Sequence, residues 1–220
     1  MLKVDYKLTS EEHGATDLVR NAKQAEQAGF DFAAISDHVS PWLEEQGHAP
    51  FAWSVLGAVA NPTQRLGLMT AVTCPIMRYH PAIIAQGAAT LGLLSDNGFT
   101  LGLGAGERLN EHVIGAGWPG RTERRERLSE AVDIIQRLLA GSLTNYRGRY
   151  FQLDHARLFD RSPLSLPSLL RQAVSTACLA GRKGDPLIAT EPRADLIEAF
   201  TSSGGSGPRY AEVALCYAKR

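Results

Sequence analysis

LGLMTAVTCPIMRYHPAIIAQGAATLGLLSDNGFTLGLGAGE, residues 66–107, reads as strand, helix, strand. Leu66–Thr73 and Phe99–Gly104 are short, apolar runs. Pro81–Leu94 between them opens on a proline, whose missing N–H and fixed φ suit the first turn of a helix. Two strands joined through a crossover helix pair in parallel, since only a tight hairpin returns the chain antiparallel.

The alternation continues in both directions. Upstream, Lys3–Thr9 reads as a strand and Ala15–Gly29 as a helix, with Leu18, Ala22, Ala25 and Ala28 at helical spacing and Gly29 as its stop. Phe32–Asp37 is a short strand, and Phe51–Ala60 a helix ended by Asn61-Pro62. Downstream, Glu123–Ala140 is a long helix stopped by Gly141. LTNYRGRYFQL (143–153) breaks the rhythm; its Arg-Gly turn between β-prone runs predicts a small hairpin, within 143–160, outside the main sheet. The pattern resumes with a strand over Leu187–Thr190, a helix over Ala194–Phe200, the loop SSGGSGP and a strand over Glu212–Tyr217.

RSPLSLPSLLRQAVST (161–176) has the length of one more strand and turn, but two prolines and scattered serines make a poor central strand. Counting it gives seven strands where a (β/α)₈ barrel needs eight, in ~250 residues. The expected fold is one α/β domain, residues 1–220, of the (β/α)₈ TIM-barrel type and lacking its last strand.

Composition narrows the partners. Lys+Arg and Asp+Glu each number 23, so no excess positive charge invites nucleic acid or an acidic membrane surface. Cys74, Cys178 and Cys216 are far apart with no CxxC spacing, which fits free thiols in a reducing cytosol. The N-terminal MLKVDYKLTSEEHG has no apolar h-region of a signal peptide, and no run approaches the ~18 apolar residues of a membrane helix. A cytoplasmic protein acting on a small molecule is expected.

In a parallel α/β fold ligands sit at the C-terminal ends of the strands. Those ends carry Ser36-Asp37-His38 with Trp42, Thr73-Cys74-Pro75 with Arg78-Tyr79-His80, and Gly104-Ala105-Gly106-Glu107 with Asn110 and Glu111. His38 beside a carboxylate has the chemistry of a general acid or base; its plainer reading is a loop histidine packed on Trp42. Glu107 follows small residues that let backbone amides approach a ligand; its plainer reading is a first-turn glutamate favoured by the helix dipole. GLGAGE (102–107) falls short of a dinucleotide fingerprint, because GxGxxG is incomplete. Trp53 and Trp118 read as core or lid, and the histidines lack metal-ligand spacing, so no metal site is expected.

SDHVSPW (36–42) with GHAPF (47–51), TAVTCPIMRYHPAIIAQGAATL (70–91) and LGLGAGERLNE (101–111) together resemble the luciferase-like oxidoreductases that use the deazaflavin coenzyme F420, in particular the F420-dependent glucose-6-phosphate dehydrogenase subgroup. The resemblance covers about residues 3–160 and resumes over 178–217. It implies a barrel whose mouth binds F420 and transfers a hydride between the deazaflavin and an alcohol or carbonyl. By the same resemblance His38 and Glu107 are catalytic and Trp42 shields the reacting centre. Asp37, Ala105, Gly106 and Asn110 contact the coenzyme, Ala71-Val72 forms a non-proline cis peptide behind its ring, and Glu11, Thr190 and Arg193 lie near the substrate. FMN, used by monooxygenases of the same superfamily, is the alternative cofactor, and a homodimer is the one oligomer considered.

Three departures stand out. Cys74 occupies a position where the family usually has a threonine that contacts the coenzyme. The glycine pair expected near Gln172–Ser175 is missing. Resemblance vanishes over 161–177 while spacing is nearly kept, as a compensated frameshift would leave it. With the chain stopping after a seventh strand, an inactive truncated remnant is the rival expectation.

Overall fold

The computed structural model describes residues 3–161, 168–171, 174–183, 187–189 and 193–211. The chain divides into two compact units, Met1–Leu166 and Pro167–Arg220.

In the first unit, strands β1 (Asp5–Leu8), β2 (Phe32–Ile35), β3 (Gly67–Thr70) and β4 (Phe99–Leu103) pair in parallel in sequence order. Their register is level: Tyr6, Ala33, Leu68 and Phe99 form one row, and Leu8, Ile35 and Thr70 another at the C-terminal edge. The loops that leave these strands therefore start side by side.

Helices α1 (Ala15–Ala28), α2 (Ala52–Ala60) and α3 (Pro81–Leu94) make the crossovers. The helix α1 buries Leu18, Ala22 and Ala25 of the stripe its sequence predicts, leaves Ala28 exposed at its last turn, and ends at Gly29 in the left-handed region at φ 92°. In α3, Pro81 occupies the first turn, and the His80 ring caps the helix by accepting the Ala82 amide at 3.2 Å. The interior is small and aliphatic: Leu8, Ile35, Leu56, Leu68, Leu101 and Leu103 are fully buried, each contributing ~1.5–3 kcal/mol relative to exposure.

Beyond β4 the chain forms the one-turn helix α4 (Arg108–Glu111), in line with the plainer reading of Glu107, and then α5 (Arg121–Leu139). Strands β5 (Thr144–Arg147) and β6 (Gln152–Ala156) form an antiparallel pair of their own. Glu130 of α5 accepts the Arg149, Tyr150 and Phe151 amides at the turn of this hairpin.

In the second unit, β7 (Ser168–Arg171), β8 (Leu187–Ala189) and β9 (Arg209–Ala211) pair in parallel, with α6 (Val174–Lys183) and α7 (Ala194–Ser202) between them. A strand thus forms inside the proline-containing 161–176 segment, and α6 completes its βα unit. The strand expected at Glu212–Tyr217 lies outside the described residues; β9 immediately precedes it.

The strand expected over Leu66–Thr73 keeps its ladder only to Thr70. The Ala71–Val72 peptide is cis, as the resemblance implies, and the chain rejoins β4 through a bridge between Thr73 and Leu103.

Candidate functional site

Four adjacent strand ends converge in the first unit, and nearly every side chain singled out there leaves from one of them. Glu11 follows β1, Asp37 and His38 follow β2, Ala71–Arg78 follow β3, and Gly104–Glu111 follow β4.

Oε1 of Glu11 lies 2.6 Å from Nδ1 of His38, and both side chains are mostly buried. Neither atom has a well-aligned hydrogen-bond partner, so the contact is a close approach of carboxylate and ring nitrogen. Burial alone would raise the Glu11 carboxyl, yet the His38 contact, local backbone and Lys7 outweigh it and hold Glu11 below the ordinary carboxylate range. An ionised carboxylate facing Nδ1 draws the ring proton there and leaves Nε2 for an outside partner. Trp42, 52% exposed, meets the His38 ring edge-on with centroids 5.1 Å apart. His38 packs on Trp42, as its plainer reading has it, and the carboxylate that faces its ring is Glu11 rather than the adjacent Asp37 that the sequence suggests.

Asp37 does a different job. Its side chain is 0% exposed, and its carboxylate accepts from Thr73 Oγ1 at 2.9 Å, Tyr79 OH at 3.0 Å and Trp53 Nε1 at 3.2 Å. The Arg78 guanidinium pairs with it at 3.2 Å and donates to its backbone carbonyl at 2.6 Å. Four side chains hold this carboxylate, so Asp37 anchors the loop that carries His38.

Glu111, 1% exposed at its side chain, accepts the Arg78 amide at 3.0 Å. Burial pushes its carboxyl up, against the pull of the Arg78 backbone and charge, and nearby Asp37 adds to the rise. Asn110 accepts the Val39 and Ser40 amides on Oδ1, at 2.9 and 3.2 Å. Arg78, Thr73, Tyr79, Trp53 and Glu111 all lie near the strand ends in sequence, but nothing in their spacing says that they converge on Asp37.

The small residues after β4 are explained by the protein itself. A Cβ on Gly102 would stand 1.9 Å from the Thr70 carbonyl, one on Gly104 2.6 Å from Val72 Cγ2, and one on Gly106 2.4 Å from Cys74 Sγ. Gly106 also adopts φ 71°, where L side chains are strained. These glycines let the strand end lie against the Thr70–Cys74 segment. Cys74 is buried, and burial with the Glu111 charge beside it lifts its thiol well above the usual range. Ala105 is half-buried, and Glu107 is exposed as the N-cap residue of α4, one strand end away from Asp37 and His38.

Arg193 belongs to the second unit, where its guanidinium pairs with Asp195. Thr190 lies outside the described residues. Among the described residues no three His, Cys, Asp or Glu side chains cluster as a metal site, and no helix is long and apolar enough to cross a membrane.

The family model for luciferase-like monooxygenases matches residues 2–203. The chain belongs to that family. The F420-dependent glucose-6-phosphate dehydrogenase of Beutenbergia cavernae is 42% identical over 191 residues, covering 86% of this chain and 57% of that protein. The F420-dependent hydroxymycolic acid dehydrogenase of Mycobacterium tuberculosis is 41% identical over 183 residues, covering 83% and 51%. Among solved structures, an F420-dependent secondary alcohol dehydrogenase in complex with an F420-acetone adduct superposes with a TM-score of 0.89 at 29% identity, over 96% of this chain and 68% of that one. The chain spans somewhat over half the length of the curated relatives it matches. As a luciferase-like protein it has the α/β, (β/α)₈-type fold class that its strand rhythm implies.

Proposed function

We propose that this luciferase-like chain serves an F420-dependent oxidoreductase that moves a hydride between the deazaflavin and an alcohol or its carbonyl. The observation that carries the reading is the Glu11–His38 pair: a histidine held at Nδ1 by a buried, ionised carboxylate, its Nε2 free for a substrate hydroxyl. The F420 dependence of the relatives supports the choice of coenzyme over FMN.

The donor set suits such a coenzyme. Ala71, Val72, Cys74, Ala105, Gly106 and Asn110 would hold it, with Asp37 serving through the loop it anchors. When bound, the deazaflavin supplies the hydride acceptor; the protein supplies position and electrostatics. Nε2 of His38 takes the hydroxyl proton, Glu11 stabilises the imidazolium that results, and Glu107, at the end of β4, is the second carboxylate of the site. Trp42 covers the reacting centre and limits water.

The substrate class is an alcohol, with Thr190 and Arg193 as substrate-side positions of the whole protein. Arg193 already carries the Asp195 carboxylate as a counter-charge, which weighs against a dedicated phosphate ligand there. His38→Ala is expected to lower alcohol-driven F420 reduction by ~10²–10⁴-fold with F420 affinity nearly unchanged. Equal turnover in wild type and variant would remove His38 from this role.

A further inference from the structure

The peptide groups on both sides of His38 are gripped by residues from other strand ends. The carbonyl before it, that of Asp37, accepts the Arg78 guanidinium at 2.6 Å. The two amides after it, Val39 and Ser40, donate to Oδ1 of Asn110 at 2.9 and 3.2 Å. Arg78 reaches further still: its guanidinium pairs with the Asp37 carboxylate at 3.2 Å and lies over the Tyr79 ring at 4.6 Å, and its own amide donates to Glu111 at 3.0 Å. Glu111 follows Asn110 directly, at the end of the one-turn helix that Glu107 opens.

We infer that Arg78 is a positioning residue: from the end of β3 it locks the His38 peptide to the α4 segment, and so keeps His38 aimed at Glu11. The inference rests on the proposed role of His38 and adds a residue to it. The geometry asks for arginine specifically. One side chain must serve a carbonyl and a carboxylate on one strand end while its Nε faces the Glu111 carboxylate, 3.7 Å away. A planar fork with five donors can do this; the point charge of lysine cannot. The position is also sealed, since the Arg78, Asp37 and Glu111 side chains are 9%, 0% and 1% exposed, so water cannot replace a lost donor.

The test reads the His38 ring itself. In the wild-type chain, ¹⁵N-edited NMR of the imidazoles, with His38→Asn to assign the signal, should show the His38 proton on Nδ1, facing Glu11. Arg78→Lys keeps the charge and loses the fork. Arg78→Met/Glu111→Gln removes the cation together with one of the two carboxylates facing it, so that the one buried charge left without its partner is Asp37, which keeps three hydrogen-bond donors. In whichever of these melts cooperatively, loss of the Nδ1-proton signature is expected. A folded variant of either kind with the wild-type signature would overturn the inference. Titration of the wild-type chain with F420, run alongside, separates the two levels: failure to bind would count against the proposed function and leave the His38 measurement standing.

Discussion

Oε1 of Glu11 and Nδ1 of His38 stand 2.6 Å apart across the ends of two neighbouring parallel strands. Sequence resemblance places Glu11 near a substrate, and the structure adds that it faces the histidine. A charge there sets which ring nitrogen bears the proton, and through it what His38 can do.

Glu11 ionises more readily in the folded chain than its ordinary value of 4.5. Its ionised form therefore adds stability that is fully present above about pH 4.5 and is lost as pH falls through the lower, folded value. Melting temperatures of Glu11→Gln and wild type should differ most near neutrality and converge in acid. A difference that widens on acidification would contradict the pairing.

Glu111 should behave with the opposite sign. Its carboxyl is raised by burial, so the protonated form is favoured in the fold, and the associated stability is present below its ordinary 4.5 and lost as pH rises through the folded value. Glu111→Gln keeps an acceptor for the Arg78 amide without the buried charge. The variant should gain on wild type in melting temperature as pH rises from 4.5 toward neutrality. A gain that is flat across this range would mean that Glu111 does not titrate as its surroundings dictate.

Much of this was legible in the chain, for reasons that are local. Gly29 and Pro81 punctuate helices in such a pattern, and the runs read as strands over 32–37, 66–73 and 99–104 contain the shorter strands that form at 32–35, 67–70 and 99–103. The Asp37 cluster was not legible. Its members are brought together by register alone, Arg78 lying 41 residues from Asp37 and 33 from Glu111. Glu111 stood in the sequence only as one more residue after a strand end, and the fold buries it. The small residues before Glu107 suggested close approach of backbone to a ligand; the structure adds that a Cβ on Gly104 or Gly106 would also meet Val72 or Cys74. The strand at Ser168–Arg171 went against the local preference of a proline- and serine-rich run, and parallel pairing with β8 accounts for it.

Gly106→Ala should lower stability through two separable effects. The left-handed backbone costs an L residue ~1–2 kcal/mol, and forcing a methyl group against Cys74 Sγ adds ~1–3 kcal/mol. Adding Cys74→Ala should recover the second part and leave the first. Denaturant melts of the two variants measure both. A single variant as stable as wild type would mean that this strand end has more room than the structure gives it.

The central claim, that this luciferase-like chain is built for a deazaflavin, is most directly tested by titrating the purified 220-residue protein with F420 and, separately, with FMN, following cofactor fluorescence. The account predicts saturable binding of F420 and no comparable binding of FMN, with the F420 affinity reduced by Gly106→Ala and retained by His38→Ala. Preference for FMN, or binding of neither by a cooperatively folded chain, would contradict it.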